Sequence, residues 1–208
     1  MSSKPATQFV CSNCGFITSR WQGKCSECNE WNTLAEQRAP ASRKGGVGVG
    51  SGKVEQLSEV MSHHFSRLPS GLAEFDLVLG GGLVPGALVL IGGDPGVGKS
   101  TLALQTALML AAKDTSVLYV SGEESAQQIQ LRSKRMAEQG DLAILSETNL
   151  EIILETLELR KPAVAVIDSI QTISSIEVNG VVGGVSQVAY ATNAFMRLAK
   201  ALHITILI

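Results

Sequence analysis

Hydrophobic and polar positions divide this chain into two regimes. Up to about residue 56 no apolar run exceeds a few residues, and from Leu88 onward short apolar runs alternate with longer stretches of helical character. The run LVLIGG from Leu88 reads as a buried strand, and STLALQTALMLAAK after it is apolar most of the way round, as a covered helix is. Ser116–Ser121 (SVLYVS) is the next strand. The helix after it has Ser125 and Gln128 in capping-box spacing and Gly140 as its stop. Leu142–Leu145 is a short strand. A further helix begins at Thr148, paired with Glu151 in a second capping box, and ends before Pro162. Ala163–Ile167 (AVAVI) is a buried strand. A Gly/Val-rich loop over Ser174–Gly184, a helix over Ser186–Leu202 and the strand ITILI complete the pattern. A short helix near Leu72–Leu79 and a turn at Gly80–Gly82 lead into it. Apolar strands alternating with helices predict an α/β fold whose mostly parallel sheet is covered on both faces.

The front of the chain is organised differently. Residues 1–35 hold all four cysteines; residues 36–56, EQRAPASRKGGVGVGSGKVEQ, are rich in glycine, serine and basic residues and read as a flexible linker; residues 57–208 carry the α/β pattern. Arg43, Lys44 and Lys53 of the linker could touch phosphates, against a plainly solvated linker, and the adjacent His63 and His64 read as surface residues.

The cysteines are spaced Cys11-x-x-Cys14 and Cys25-x-x-Cys28. Each pair can bend as a knuckle that turns two thiolates toward one tetrahedral ion, and the ten residues between the pairs can return the second to the first as a hairpin. Gly15 and Gly23 serve the turns. This predicts a zinc ribbon with Cys11, Cys14, Cys25 and Cys28 as ligands, a closed structural site that gives a small segment the folding energy burial cannot supply. A redox dithiol pair or two disulfides are the competing uses of the same residues. Trp21 and Trp31 flank the second knuckle, either as a mini-core on the metal site or as a platform for stacking bases or docking a partner.

Chemistry concentrates at Leu88–Thr101, LVLIGGDPGVGKST, where G-x-x-x-x-G-K-S follows a strand and opens a helix. Such a loop aims successive backbone N–H groups and a helix N-terminus at a triphosphate. Gly93, Asp94, Pro95, Gly96, Val97, Gly98, Lys99, Ser100 and Thr101 form the expected nucleotide site. Lys99 reaches the β- and γ-phosphates, the Ser100 hydroxyl ligates Mg²⁺, and Thr101 offers the next N–H. Asp168, at the end of AVAVI, is the expected second magnesium partner, with Ser169 helping to position it. Glu123 and Glu124 follow SVLYVS at the same sheet edge. Glu123 is the expected base for an attacking water, with Glu124 supporting it; first-turn acids favoured by a helix dipole are the alternative. Gln187 either senses the γ-phosphate or caps a helix, and Arg132, Lys134 and Arg135 read as a solvated helix face. Composition adds limits. The chain has 208 residues, 45% of them hydrophobic, enough for one core and a small appendage. Net charge is −2, split as +3 over residues 1–70 and −5 beyond, too little to announce a nucleic-acid binder. No apolar run reaches about 18 residues, so no membrane span is expected. The polar start carries no secretory signal, and a cytoplasmic protein with reduced thiols follows.

The stretches CSNCGFITSRWQGKCSECNEWNTL, RLPSGLAEFDLVLGGGLVPGALVLIGGDPGVGKSTLALQ, LYVSGEES and AVIDSIQT, in that order, resemble the bacterial DNA repair family RadA, also called Sms, across essentially the whole chain. The resemblance implies a RecA-like ATPase core behind a zinc ribbon, with zinc on the four cysteines and ATP with Mg²⁺ at Gly93–Thr101. It also places Glu123 at the catalytic glutamate of RecA-like ATPases. The implied activity is DNA-stimulated ATP hydrolysis that drives branch migration of recombination intermediates, with single-stranded and branched DNA and the RecA recombinase as partners and a homo-hexamer as the full-length assembly. Two departures stand out. After S-Q-V the chain has Ala189 and Tyr190 where an Arg-Glu pair is expected. It also stops at Ile208, within a strand, before the further core strands, Lys-Asn-Arg-Phe-Gly motif and Lon-protease-like domain of the family, so the expectation is a fragment. An ATP-gated signalling or phosphotransfer protein of the circadian-clock type, and a nucleotide-binding module without turnover, are the alternatives.

Overall fold

The computed structural model describes residues 7–13, 15–38, 66–136 and 140–208. The chain divides into two compact units, with the boundary between Phe65 and Ser66. Cys14, the basic linker residues Arg43, Lys44 and Lys53, and the pair His63 and His64 lie outside the described residues.

The first unit is a small antiparallel sheet. Strand β1 (Thr7–Cys11) lies between β2 (Ile17–Thr18) and β3 (Leu34–Arg38). The strand β3 runs through Arg38, so the segment expected to be linker from residue 36 begins as sheet, its Glu36 paired with Phe9. The two knuckles share one backbone pattern. Cys11 N donates to Phe16 O and Gly15 N to Cys11 O; fourteen residues on, Cys25 N donates to Glu30 O and Asn29 N to Cys25 O. Gly15 and Asn29 occupy matching left-handed positions, which these two residue types tolerate. The unit's core is Cys11, Cys25 and Leu34, with Phe9, Phe16 and Cys28 packed on it. Trp21 and Trp31 do not join this core: they are 62% and 68% exposed, which corrects the mini-core expectation. Both rings stand beside Gly23, and the Lys24 ammonium lies 5.9 Å from the Trp31 ring centroid.

The second unit is a five-stranded parallel sheet. After α1 (Ala73–Val78), the elements are β4 (Leu88–Val89), α2 (Lys99–Ala111), β5 (Val117–Ser121), α3 (Ala126–Ser133), β6 (Ala143–Ser146), α4 (Leu150–Arg160), β7 (Val164–Asp168), α5 (Val185–Leu202) and β8 (Thr205–Leu207). The strand order is β4-β8-β7-β5-β6, and every pairing within it is parallel. Alternation along the strands builds two cores. Leu118 and Val120 of β5, with Ala165 and Ile167 of β7, face Leu150, Ile153 and Leu157 of α4 and Phe195 and Leu198 of α5. Val117 and Tyr119, with Val164 and Val166, face Leu104, Ala107 and Leu108 of α2 and Ile129 of α3. Because both faces are covered, these strands read as unbroken apolar runs.

Three boundaries differ from expectation. The paired part of the first strand is only Leu88–Val89, although Ile91 N still donates to Ile208 O. Helix α3 ends at Ser133, and Gly140 serves another purpose: a Cβ there would lie 2.6 Å from Leu108 O and 2.7 Å from Ala112 N, so only glycine lets the chain pass so close to α2. Helix α4 is capped by Asn149, whose side chain accepts from Ile152 N, rather than by Thr148. Thr148 is committed elsewhere: its carbonyl accepts from Ser174 N, and its N–H donates to Glu147 Oε1. The Ser125–Gln128 capping box forms as the sequence predicts.

Candidate functional site

The carboxyl ends of β4, β5 and β7 meet on one edge of the sheet, where ligands bind in open parallel sheets. The loop after β4 turns into α2 through Gly98, the helix N-cap, at φ +102°, a left-handed angle suited to glycine. Lys99 folds back over this loop, and its Nζ donates to Gly93 O at 2.8 Å and Asp94 O at 2.9 Å. One residue on, Ser100 Oγ donates to Asp168 Oδ1 at 2.8 Å. The sequence separates these two by 68 residues; the parallel sheet joins them because β7 ends under the first turn of α2.

Register carries the acids to the same place. Ser121 of β5 lies level with Asp168 of β7, and Gly122 N donates to Asp168 O. A Cβ on Gly122 would fall 1.9 Å from Thr172 Oγ1, so the S-G-E-E turn needs glycine to pass the short 3₁₀ turn Ile170–Thr172. Glu123 is exposed, and its Oε1 accepts from Ser169 Oγ at 3.1 Å. Ser169 therefore holds Glu123, where it was expected to help position Asp168. Glu123 lines a cleft of about 440 Å³ with Gly93, Lys99, Ser100, Asp168 and Gln171. A Cβ on Gly96 or Gly98 would meet nothing within 4 Å, so the loop borders open space at both positions.

Glu124 has a different role from Glu123. It pairs with Arg132 Nη1 at 2.9 Å. Arg132 is not on a solvated face: its side chain is only 25% exposed, its Nη2 donates to Tyr119 Oη at 3.3 Å and lies 3.8 Å from Asp168 Oδ2. Tyr119 in turn donates to Asp168 Oδ2 at 2.5 Å. Burial first, and then the hydrogen bond to Asp168, push the Tyr119 hydroxyl well above its ordinary range, so it stays a donor. Sequence reading missed this trio. The available signal was spacing: Arg132 sits three residues after buried Ile129 and so shares its inward face. Gln187 is also outside the cleft's chemistry. Its buried side chain accepts from Ser175 N and donates to Ser175 O and Val178 O, and so ties down the 174–184 loop; neither a phosphate sensor nor a helix cap describes it.

In the ribbon, the Sγ atoms of Cys11, Cys25 and Cys28 all lie within 4.8 Å of one another. Cys11 and Cys28 Sγ are 3.6 Å apart, close to the roughly 3.8 Å edge of a tetrahedron with 2.3 Å metal–sulfur bonds. Cys11 Sγ is also 3.2 Å from Thr33 Oγ1. The donor set and its spacing fit a soft, tetrahedral ion.

Comparison with known proteins decides the lineage. Residues 54–208 match the family model described as AAA domain. The chain belongs to the AAA domain family. In front of this AAA domain, residues 9–36 match the model described as Rubredoxin metal binding domain, over the segment that holds the cysteines. The chain is similar to proteins named DNA repair protein RadA, the family its motifs resemble. It is 43% identical to that of Listeria monocytogenes over 99% of this chain and 46% of the relative. It is 42% identical to that of Bacillus subtilis, again over 99% and 46%, and 44% identical to that of Streptococcus pyogenes serotype M6 over 98% and 46%. The chain thus spans about half the length of these relatives. No helix among the described residues is long and apolar enough to cross a membrane.

Proposed function

We propose that this chain binds ATP with Mg²⁺ at Gly93–Thr101 and hydrolyses it, as the nucleotide-consuming part of a DNA-dependent ATPase of recombinational repair. The observation that carries the reading is the meeting of Ser100 and Asp168 at 2.8 Å, at the mouth of a glycine loop whose lysine is one residue away. Backbone N–H groups of the loop would hold the phosphates, Lys99 would exchange its loop carbonyls for phosphate oxygens, and Ser100 with Asp168 would hold the metal. A magnesium ion held by Ser100 and Asp168 would supply positive charge against the negative charge that develops in phosphoryl transfer. Glu123 is the base: it is exposed in the cleft and oriented by Ser169, whereas the Glu124 carboxylate is engaged by Arg132. A positioned carboxylate that takes a proton from the attacking water contributes about 10²–10⁴-fold.

The name of the RadA relatives supports a role in DNA repair. Stimulation by single-stranded and branched DNA, branch migration with the RecA recombinase, hexamer formation and a cytoplasmic location are the finer parts of the proposal, and they follow the family resemblance. The ribbon would hold zinc on Cys11, Cys14, Cys25 and Cys28. Phosphate release, measured with and without single-stranded DNA, tests the reading. Glu123→Gln should bind ATP as the parent does and lose turnover by at least about 100-fold. Undiminished hydrolysis in that variant removes Glu123 from the mechanism, and a rate indifferent to DNA favours an ATP-gated signalling role.

A further inference from the structure

We propose that Tyr119 and Arg132 are positioning residues that fix the orientation of the Asp168 carboxylate toward the metal. The proposal rests on the nucleotide–metal reading of the cleft. Asp168 has one oxygen engaged on each side. Its Oδ1 accepts from Ser100, on the loop side; its Oδ2 accepts from Tyr119 Oη on the opposite side, with Arg132 Nη2 3.8 Å away. The carboxylate cannot turn without breaking contacts to both α2 and β5. Tyr119 is fully buried and comes from the strand next to Asp168, so its oxygen is fixed by packing.

Arg132 makes the arrangement hard to explain as packing alone. Its Nε is buried without an acceptor among the described residues, and it is held through its outer nitrogens by Glu124 and Tyr119. A helix position that shares a face with Ile129 needs only an apolar side chain, and a partly desolvated guanidinium there is costly unless carboxylates repay it. Here it supports two carboxylates at once: it withdraws Glu124 from the cleft and backs the tyrosine that holds Asp168. Groups one layer behind metal ligands typically alter metal affinity by about 10–100-fold when removed.

The test uses the full 208-residue chain with Mn²⁺ as the metal and ADP as the nucleotide, bound Mn²⁺ being read by electron paramagnetic resonance. Tyr119→Phe deletes one oxygen and keeps the ring. It should raise the half-saturating Mn²⁺ concentration about tenfold, with ADP affinity in the absence of metal unchanged. Arg132→Gln, altered on α3, should shift Mn²⁺ binding in the same direction and serves if the Phe variant fails to fold. An ion pair that merely joined α3 to the sheet would lower thermal stability and leave the Mn²⁺ curve in place. Unchanged Mn²⁺ curves in variants that fold, beside a wild type whose Mn²⁺ binding depends on ADP, overturn the positioning role alone. A wild type with no ADP-dependent Mn²⁺ binding overturns the reading of the cleft itself.

Discussion

Replacing Gln187 by leucine isolates what the buried amide does. The side chain is 3% exposed and makes three hydrogen bonds: it accepts from Ser175 N at 2.9 Å and donates to Ser175 O at 3.1 Å and Val178 O at 2.6 Å. Leucine fills a similar volume and supplies none of them. Val178 is partly exposed, so its carbonyl can turn to water; the Ser175 N–H and carbonyl are buried and lose their partners. At about 1–3 kcal/mol per orphaned group, the pair costs about 3 kcal/mol. For a unit of this size that lowers the melting temperature by about 6–12 °C. The assay is thermal unfolding followed by circular dichroism, with amide exchange read over residues 175–184. Exchange in that loop should accelerate, while ADP affinity stays at the parent value because the amide is turned into the loop. Gln187→Glu should be worse than leucine at neutral pH, where a carboxylate would face two carbonyls, and should recover in acid as the protonated carboxyl regains a donor. A leucine variant that melts with the parent and leaves loop exchange unchanged refutes the latch. A loss of ATP affinity with ADP affinity kept, at unchanged stability, would point back to γ-phosphate sensing.

Two further outcomes follow from the geometry. Cys25→Ser removes a fully buried sulfur from the cluster; zinc content by atomic absorption should fall from about one ion per chain to none, with the melting of the α/β unit unchanged. Glu147 accepts from the backbone N–H groups of Asn149 and Thr148, which hold its carboxyl below the ordinary range, so its stabilising effect is present above about 4.5 and fades as pH falls through the lowered value. Comparing Glu147→Gln with the parent by thermal unfolding should show a deficit of about 1–2 °C at neutral pH that closes in acid, the small size reflecting solvent screening.

The sheet was legible because β5 and β7 are covered on both faces, which makes each a five-residue run with little polar interruption. The glycine loop was legible because its constraint is local: Gly98, Lys99 and Ser100 are consecutive, and their backbone angles need no distant partner. The start of α4 was not, since Thr148 and Asn149 are both competent caps and the choice is made by Ser174, far along the chain, which claims the Thr148 carbonyl. Gly140 showed the same limit. Its residue type announced a special position, but the reason is contact with α2 rather than a helix end. Arg132 was misread because charge on a short helix ordinarily points to solvent, and only the sheet places two carboxylates within its reach. The tryptophans erred the other way: large apolar side chains beside a small core were expected to enter it, whereas the cysteine sulfurs and Leu34 already fill that space.

Lys99 has a bearing on how tightly the cleft can hold anything. Two of the three N–H donors of its ammonium are engaged by carbonyls of its own loop. The loop thus ligates its own lysine, and a phosphate that engages this cation competes with the Gly93 and Asp94 carbonyls for it. The net contribution of Lys99 to affinity is the difference between two sets of oxygen contacts, smaller than either set alone. What the arrangement gains is a loop held near its working shape before the ligand arrives, so that binding exchanges partners without having to fold the site.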